Sequence, residues 1–210
     1  MLHALIGACI GCKTAPEAKT RPGVPSGIIG QNLEILADPQ DKEFRSKVEG
    51  LTHYLTSRSF EFRGKPNDSL KHLDAAAKAD PKQEAVVILA ARRYLQKKKT
   101  DKAIEILRFA QASNIEAVAI NEWLGLAYQQ ANQLDAAIEE FENAIEKEQP
   151  TLISIRGLTK IHSSAKRLDK AFEVLEISLK KNIKEAEFWI GIADLYRDTG
   201  LAAKADINKI

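Results

Sequence analysis

The two cysteines of this 210-residue chain, Cys9 and Cys12, are the first residues whose type and spacing could support chemistry. Their spacing, Cys9-Ile-Gly-Cys12, is that of a redox pair or of one half of a zinc site. A zinc site needs a second pair of ligands, and a redox pair needs a thioredoxin-like pattern around it. The sequence offers neither, so metal or redox chemistry is the least favoured interpretation, and we expect no metal site.

The other residues of catalytic type form no recognisable active-site pattern. The four histidines, His3, His53, His72 and His162, are far apart in the sequence. The sequence has no phosphate-binding glycine loop, no Gly-x-Ser-x-Gly turn and no His-Glu-x-x-His helix. With 31 basic and 29 acidic residues, the net charge of +2 gives no case for nucleic-acid binding. We therefore expect a protein that is not an enzyme, has no cofactor and does not bind nucleic acid.

The sequence around the cysteines also suggests membrane attachment. Residues 2–11 form an apolar run interrupted by His3, and polar residues follow Cys12 directly. The run is too short to span a bilayer, which takes about twenty residues. An apolar run, a small residue, a cysteine and a polar segment together resemble a bacterial lipoprotein signal. The resemblance implies a lipid on Cys12, with Cys9 as the alternative, and a place in the bacterial cell envelope. The other interpretation is a plain N-terminal tail.

The remaining sequence divides into a linker and a helical region. Residues 13–38 hold several prolines and glycines, a composition that is typical of a linker. Residues 39–210 contain long stretches rich in Ala, Glu, Lys and Leu, which favour helix over strand. We therefore expect a lipoprotein signal over residues 1–12, a linker over 13–38 and a helical domain over 39–210.

An internal repeat of 34 residues begins at about residue 50 and continues without insertion. Five columns of similar residues keep this spacing. The aromatic column holds Phe60, Tyr94, Tyr128, His162 and Tyr196. Each unit predicts two amphipathic helices joined by a short turn. In the fifth unit the turn is expected at Thr199-Gly200, and the second helix is expected to begin near Ala202.

A 34-residue helix-turn-helix unit with these residue types resembles the tetratricopeptide repeat. The match is best at Leu124-Gly125-Leu126-Ala127-Tyr128, followed by Ala137, Phe141 and Ala144. The resemblance implies an all-α fold, an α-solenoid of antiparallel helix pairs that forms a right-handed superhelix. The implied repeats lie near residues 50–83, 84–117, 118–151, 152–185 and 186–210, and the last is incomplete.

The resemblance also implies a binding surface, because in this family the first helix of each unit lines a concave groove. Two groove-facing columns follow, and the expected peptide-binding residues are Tyr54, Arg58, Ile88, Arg92, Glu122, Leu126, Arg156 and Lys160. Their cations favour a peptide that carries carboxylates, and the apolar members would supply contact area. The alternative is that these are ordinary exposed side chains.

The function expected from the sequence is therefore a protein-interaction scaffold that binds a peptide or a partner helix, within a bacterial envelope assembly. One alternative is a cytoplasmic adaptor, for which the N-terminus is a simple tail. Another is an accessory domain cut from a longer protein or enzyme. The incomplete fifth repeat adds a possible surface for self-association.

Overall fold

The computed structural model describes residues 41–113, 117–146, 151–181 and 183–207, and all regular secondary structure in these residues is α-helical. Contacts divide the chain into Met1–Asp38 and Pro39–Ile210, and every described residue belongs to the second unit. The signal, the linker and the lipidation site predicted at Cys9 or Cys12 lie outside the described residues. The helices are α1 Lys42–Phe62, α2 Pro66–Ala79, α3 Glu84–Gln96, α4 Thr100–Ser113, α5 Val118–Gln130, α6 Leu134–Glu146, α7 Leu152–Ser164, α8 Leu168–Leu179 and α9 Ala186–Ile207.

Helices α1 to α8 pack as four successive hairpins, α1 with α2, α3 with α4, α5 with α6 and α7 with α8. Each hairpin also contacts the next one along the chain. The first helices of neighbouring units, α3, α5, α7 and α9, touch one another in this order. This arrangement is an all-α helical repeat solenoid, as predicted from the 34-residue spacing.

Four turns between first and second helices share one backbone conformation. The residues with positive φ, Gly64, Lys98, Asn132 and Lys166, recur 34 residues apart in the left-handed region. In each turn the following residue donates its N–H over 2.9 Å to the carbonyl of the aromatic-column residue, as Lys99 does to Tyr94. This hydrogen bond closes the end of the first helix in the manner of a Schellman motif.

The fifth unit departs from the predicted hairpin. Gly200 occupies the same column as the four turn residues, yet α9 runs unbroken through Thr199 and Gly200 to Ile207. The predicted turn at Thr199-Gly200 and the second helix near Ala202 are therefore wrong for the described residues. A turn is favoured when the following helix buries an apolar face. Here Leu201 is 61% exposed, so continuing the helix satisfies the backbone hydrogen bonds at lower cost.

The core follows the repeat columns, because small side chains on one helix admit large ones from the next. Phe141 of α6 is fully buried between α5 and α7. A Cβ atom added at Gly125 would lie 2.5 Å from the Phe141 ring, and one added at Gly157 would lie 2.4 Å from it. The ring therefore occupies space that two glycines leave open on the neighbouring first helices.

At two junctions a tyrosine of the aromatic column bonds a side chain on the second helix of the preceding unit. The Tyr94 hydroxyl donates to Asp74 Oδ1 over 2.9 Å. The Tyr128 hydroxyl accepts a 2.8 Å hydrogen bond from Arg108 Nε. Asp74, Arg108 and Glu142 are themselves 34 residues apart, so Glu142 is the counterpart that faces His162. At that junction no hydrogen bond joins the two side chains.

Candidate peptide-binding face

The outer faces of α3, α5 and α7 form one continuous surface, because these three first helices are neighbours. An open depression of about 580 Å³ lies on this surface, and we call it the first-helix depression. Its lining combines cations, amides and apolar side chains: Arg92, Leu95, Gln96, Trp123, Leu126, Gln129, Gln130 and Lys160. The arrangement suits contact with a ligand that is partly anionic and partly apolar.

Three of the predicted groove residues, Arg92, Leu126 and Lys160, come together in the first-helix depression. Arg92 and Lys160 are exposed, and neither forms an ion pair with any residue that the structure describes. Leu126 is half-buried on α5, the first helix that lies between α3 with Arg92 and α7 with Lys160. The two cations therefore flank an apolar surface and have no carboxylate partner within the described part of the chain.

The most prominent apolar side chain of the depression, Trp123, was not among the predicted groove residues. Trp123 is half-buried and lies three residues before Leu126, so both point to the same face of α5. The helical spacing of Trp123, Leu126 and Gln130 was the signal that could have identified it. The Gln130 side chain donates to the Leu95 carbonyl over 3.1 Å, which joins α5 to α3 beside the indole.

The remaining predicted residues lie outside the first-helix depression. Arg58 is exposed but forms an ion pair with Glu61, which also binds Arg93. Because one carboxylate is shared by two guanidiniums, these three side chains together keep a net charge of +1, and Arg58 is held by Glu61. Tyr54 is half-buried and lines a separate cavity of about 460 Å³ between α1 and the start of α3.

Ile88 and Arg156 also lie away from the depression. Ile88 is half-buried and packs against the core. Arg156 is exposed on α7 and has no ion pair among the described residues. The sequence prediction that these two side chains contact a peptide remains a prediction.

Glu122 differs from the sequence expectation, because its carboxylate is buried rather than directed into a groove. The side chain is 2% exposed. Its Oε1 atom accepts hydrogen bonds from Thr151 Oγ1 over 2.5 Å and from Ser154 Oγ over 3.1 Å. The hydroxyls at the start of α7 thus bind this carboxylate, and it serves as a tie between α5 and α7.

A second buried carboxylate, Glu140 of α6, belongs to the packing between units. It is 2% exposed, accepts a 2.9 Å hydrogen bond from Gln111 and lies 3.3 Å from the Arg108 guanidinium. Burial raises the pKa of Glu140, and the Gln111 and Arg108 contacts partly oppose that rise. Gln111 and Arg108 both lie on α4, so the arrangement stabilises the α4–α6 contact rather than a reacting group.

Two general features of the described residues bear on function. No cluster of three or more His, Cys, Asp or Glu side chains among them could hold a metal ion. Of the helices described, none combines the length and the apolar character needed to cross a membrane.

Comparisons with known proteins agree with the architecture. A family model described as tetratricopeptide repeat matches residues 88–152. The crystal structure of MamA aligns with a TM-score of 0.52 at 20% identity, over 72% of this chain and 82% of that chain. A structure from the functional characterisation of Pseudomonas aeruginosa pilF aligns with a TM-score of 0.51 at 16% identity, over 76% of this chain and 74% of that one. At these identities the likeness is one of fold. No curated protein matches the sequence.

Proposed function

The chain is a tetratricopeptide-repeat protein, and from that premise we propose that it binds a carboxylate-bearing peptide segment or partner helix in the first-helix depression. A fold of this kind is in general a protein-interaction scaffold. The observation that carries the finer proposal is the pair of cations, Arg92 and Lys160, on either side of Trp123 and Leu126. The proposed role is binding, without a catalytic step.

The charges favour an acidic ligand. Arg92 and Lys160 make no ion pair among the residues that the structure describes, so an incoming carboxylate displaces no described acidic partner. Exposed ion pairs contribute about 0–1 kcal/mol each, so the two cations together would contribute up to about 2 kcal/mol of affinity and would also set the orientation and the rate of binding.

The apolar residues would supply most of the affinity. Trp and other aromatic side chains dominate the energetics of interfaces, and Trp123 is half-buried with part of its ring open to a ligand. Leu95 and Leu126 line the same depression. The preferred segment therefore carries an apolar side chain next to one or more carboxylates.

A peptide selection with matched variants tests this proposal. The full chain would select 12-residue peptides from a displayed random library, and affinities would then be measured by fluorescence anisotropy. We expect acidic-apolar peptides that lose at least tenfold in affinity with Trp123→Ala or with Arg92→Gln/Lys160→Gln. The control, Lys71→Gln/Lys102→Gln, removes the same charge from the second helices α2 and α4. Equal losses in both double variants would contradict a site in the depression.

We further propose that the scaffold is attached to the bacterial envelope by a lipid on Cys12, with Cys9 as the alternative site. The support is the apolar run of residues 2–11, the small residue before each cysteine and the polar sequence after Cys12. Growth of the native host with an alkyne fatty acid would label the protein, and Cys12→Ser would abolish the label while Cys9→Ser retains it. An unlabelled chain of full-length mass would favour the cytoplasmic adaptor instead.

Self-association through the fifth unit is a separate proposal. Its support is the exposure of two apolar side chains on α9, Ile190 at 63% and Leu201 at 61%. Light scattering at increasing concentration would show a dimer that Leu201→Asp dissociates. A monomer at all concentrations would contradict it.

A further inference from the structure

Another cavity lies between α6 and α8, with residues of α7 in its lining. Its volume is about 520 Å³, and none of its lining residues belongs to the first-helix depression. We call it the α6–α8 cleft. Its apolar lining consists of Ile138, Ile145, Leu158, Val174 and Ile177. The volume is in the range of sites that hold small ligands or inserted side chains.

Among the residues that the structure describes, two buried polar atoms beside the α6–α8 cleft have no hydrogen-bond partner. His162 lines the cleft and is 5% exposed, and its Nδ1 atom makes no hydrogen bond. Arg167 lines the same cleft, and its buried Nε atom also lacks a partner. An unsatisfied buried polar group costs free energy, so the polar side chains beside the cleft are incompletely paired within the described part of the chain.

The junction beside the cleft differs from two other junctions of the repeat in its aromatic-column residue. At the α2–α3 and α4–α5 junctions the aromatic column holds Tyr94 and Tyr128, which are buried, and their hydroxyls bond the side chains of Asp74 and Arg108 on the preceding second helix. The third junction along the chain, α6–α7, has His162 in place of the tyrosine and Glu142 in place of Asp74 or Arg108. Both residues line the cleft, and the shorter imidazole forms no hydrogen bond with the carboxylate.

We propose that the α6–α8 cleft binds a tyrosine side chain of a partner protein, which packs beside His162 at the junction whose aromatic column has no tyrosine of its own. The phenol hydroxyl would donate to the Glu142 carboxylate, as the Tyr94 hydroxyl donates to Asp74. The ring would pack against Ile138, Val174 and Ile177. This site is independent of the first-helix depression, so a partner segment could use either surface alone.

The test uses p-cresol and N-acetyltyrosinamide as probes of the full chain, with methyl chemical shifts as the readout. We expect saturable shifts at Ile138, Val174 and Ile177, with a p-cresol dissociation constant on the order of 1 mM for a ligand of this size. His162→Tyr fills the cleft from within and should weaken binding at least tenfold. Because it restores the residue type of Tyr94 and Tyr128, this variant is expected to fold.

Two comparisons make the result decisive. Toluene lacks the hydroxyl, so it should bind at least threefold more weakly than p-cresol to the wild type, and Glu142→Ala should remove that difference. Arg92→Gln/Lys160→Gln should leave cresol binding unchanged, which separates this site from the first-helix depression. The proposal is overturned if His162→Tyr binds cresol as tightly as the wild type does. It is also overturned if the wild type binds toluene and cresol equally, or if the chemical shifts change only on other helices.

Discussion

Two junctions between neighbouring units, α4–α5 and α6–α7, both contain a residue of the aromatic column, but their side chains pack and hydrogen-bond differently. At the first, Arg108 donates to the Tyr128 hydroxyl over 2.8 Å and its guanidinium carbon lies 5.4 Å from the ring centroid. The same guanidinium lies 3.3 Å from buried Glu140. At the second, His162 lines a cleft of about 520 Å³, and its Nδ1 atom has no partner among the residues that the structure describes.

The difference shows how a repeat array can vary the packing of one junction without changing its fold. Array stability is close to a sum of unit and interface terms, so one weak junction is tolerated when its neighbours are well packed. A different residue in a single column then changes the side-chain contacts of one junction while the turn of the unit keeps its hydrogen bond. The turn after His162 has the same 2.9 Å closing hydrogen bond as the turn after Tyr128.

The largest effect on stability is expected from Gly157→Ala, which creates a steric clash with Phe141 at the α6–α7 junction. The new Cβ atom would lie 2.4 Å from the buried Phe141 ring, which has little space to move. We expect the free energy of unfolding, measured in urea, to fall by about 3 kcal/mol. Gly200→Ala is the control: nothing lies within 4 Å, so we expect a gain of about 0.7 kcal/mol from helix propensity. If Gly157→Ala lowers the free energy of unfolding no more than an ordinary surface substitution does, the packing described for Phe141 is refuted.

Tyr128→His should convert the closed junction into an open one. It removes the hydrogen bond to Arg108 and the contact of the guanidinium with the ring, and it leaves a cavity. We expect a loss of about 2 kcal/mol in the free energy of unfolding. A double-mutant cycle with Arg108→Ala measures how much of this loss depends on the Arg108 contact. Zero coupling would mean that the hydrogen bond contributes nothing to closure.

His162→Tyr is the reverse substitution and should close the open junction. The added ring and hydroxyl would occupy the α6–α8 cleft and reach toward Glu142. We expect a gain of about 1 kcal/mol, seen as a higher urea midpoint with an unchanged m-value. A loss of stability would show that the cleft cannot hold a phenol ring, and it would weaken the comparison between the two junctions.

The smallest effect is the pH dependence of the open junction. Burial, followed by the charges of Arg167 and Lys170, lowers the pKa of His162 below its ordinary value of 6.5, while Asp169 and Glu173 oppose the shift. The unfolded chain then holds the proton more tightly. The stability contributed by neutral His162 is therefore present above pH 6.5 and is lost as the pH falls through the folded pKa. Between pH 7.5 and 5, the wild type should lose more stability than His162→Tyr in urea titrations, and parallel curves would rule out a lowered pKa.

The repeat made much of the fold predictable from the sequence. Residues 34 apart occupy equivalent places, so the spacing of Tyr94, Tyr128 and His162 was enough to predict the helix pairs and their buried faces. The local sequence did not predict that α9 continues through Gly200. A glycine permits the left-handed turn, but whether the chain turns depends on what the next helix can bury.

The binding face was less predictable for a physical reason. Column spacing gives the direction of a side chain on its own helix, while its partners depend on how neighbouring helices are rotated. Glu122 thus meets the hydroxyls of Thr151 and Ser154, which lie 29 and 32 residues later. Arg92 and Lys160 were placed together by their shared column, whereas Trp123 lies outside that column and needed the three-dimensional arrangement.

The most direct test of the proposed binding face is a charge swap. An acidic-apolar peptide selected by the wild type would be titrated by anisotropy against Arg92→Glu/Lys160→Glu, alongside a copy with its acidic residues replaced by lysine. The account predicts that the variant rejects the acidic peptide and binds the lysine copy, while the wild type does the opposite. If both proteins prefer the acidic peptide, the peptide does not bind between Arg92 and Lys160, and the proposed site is contradicted.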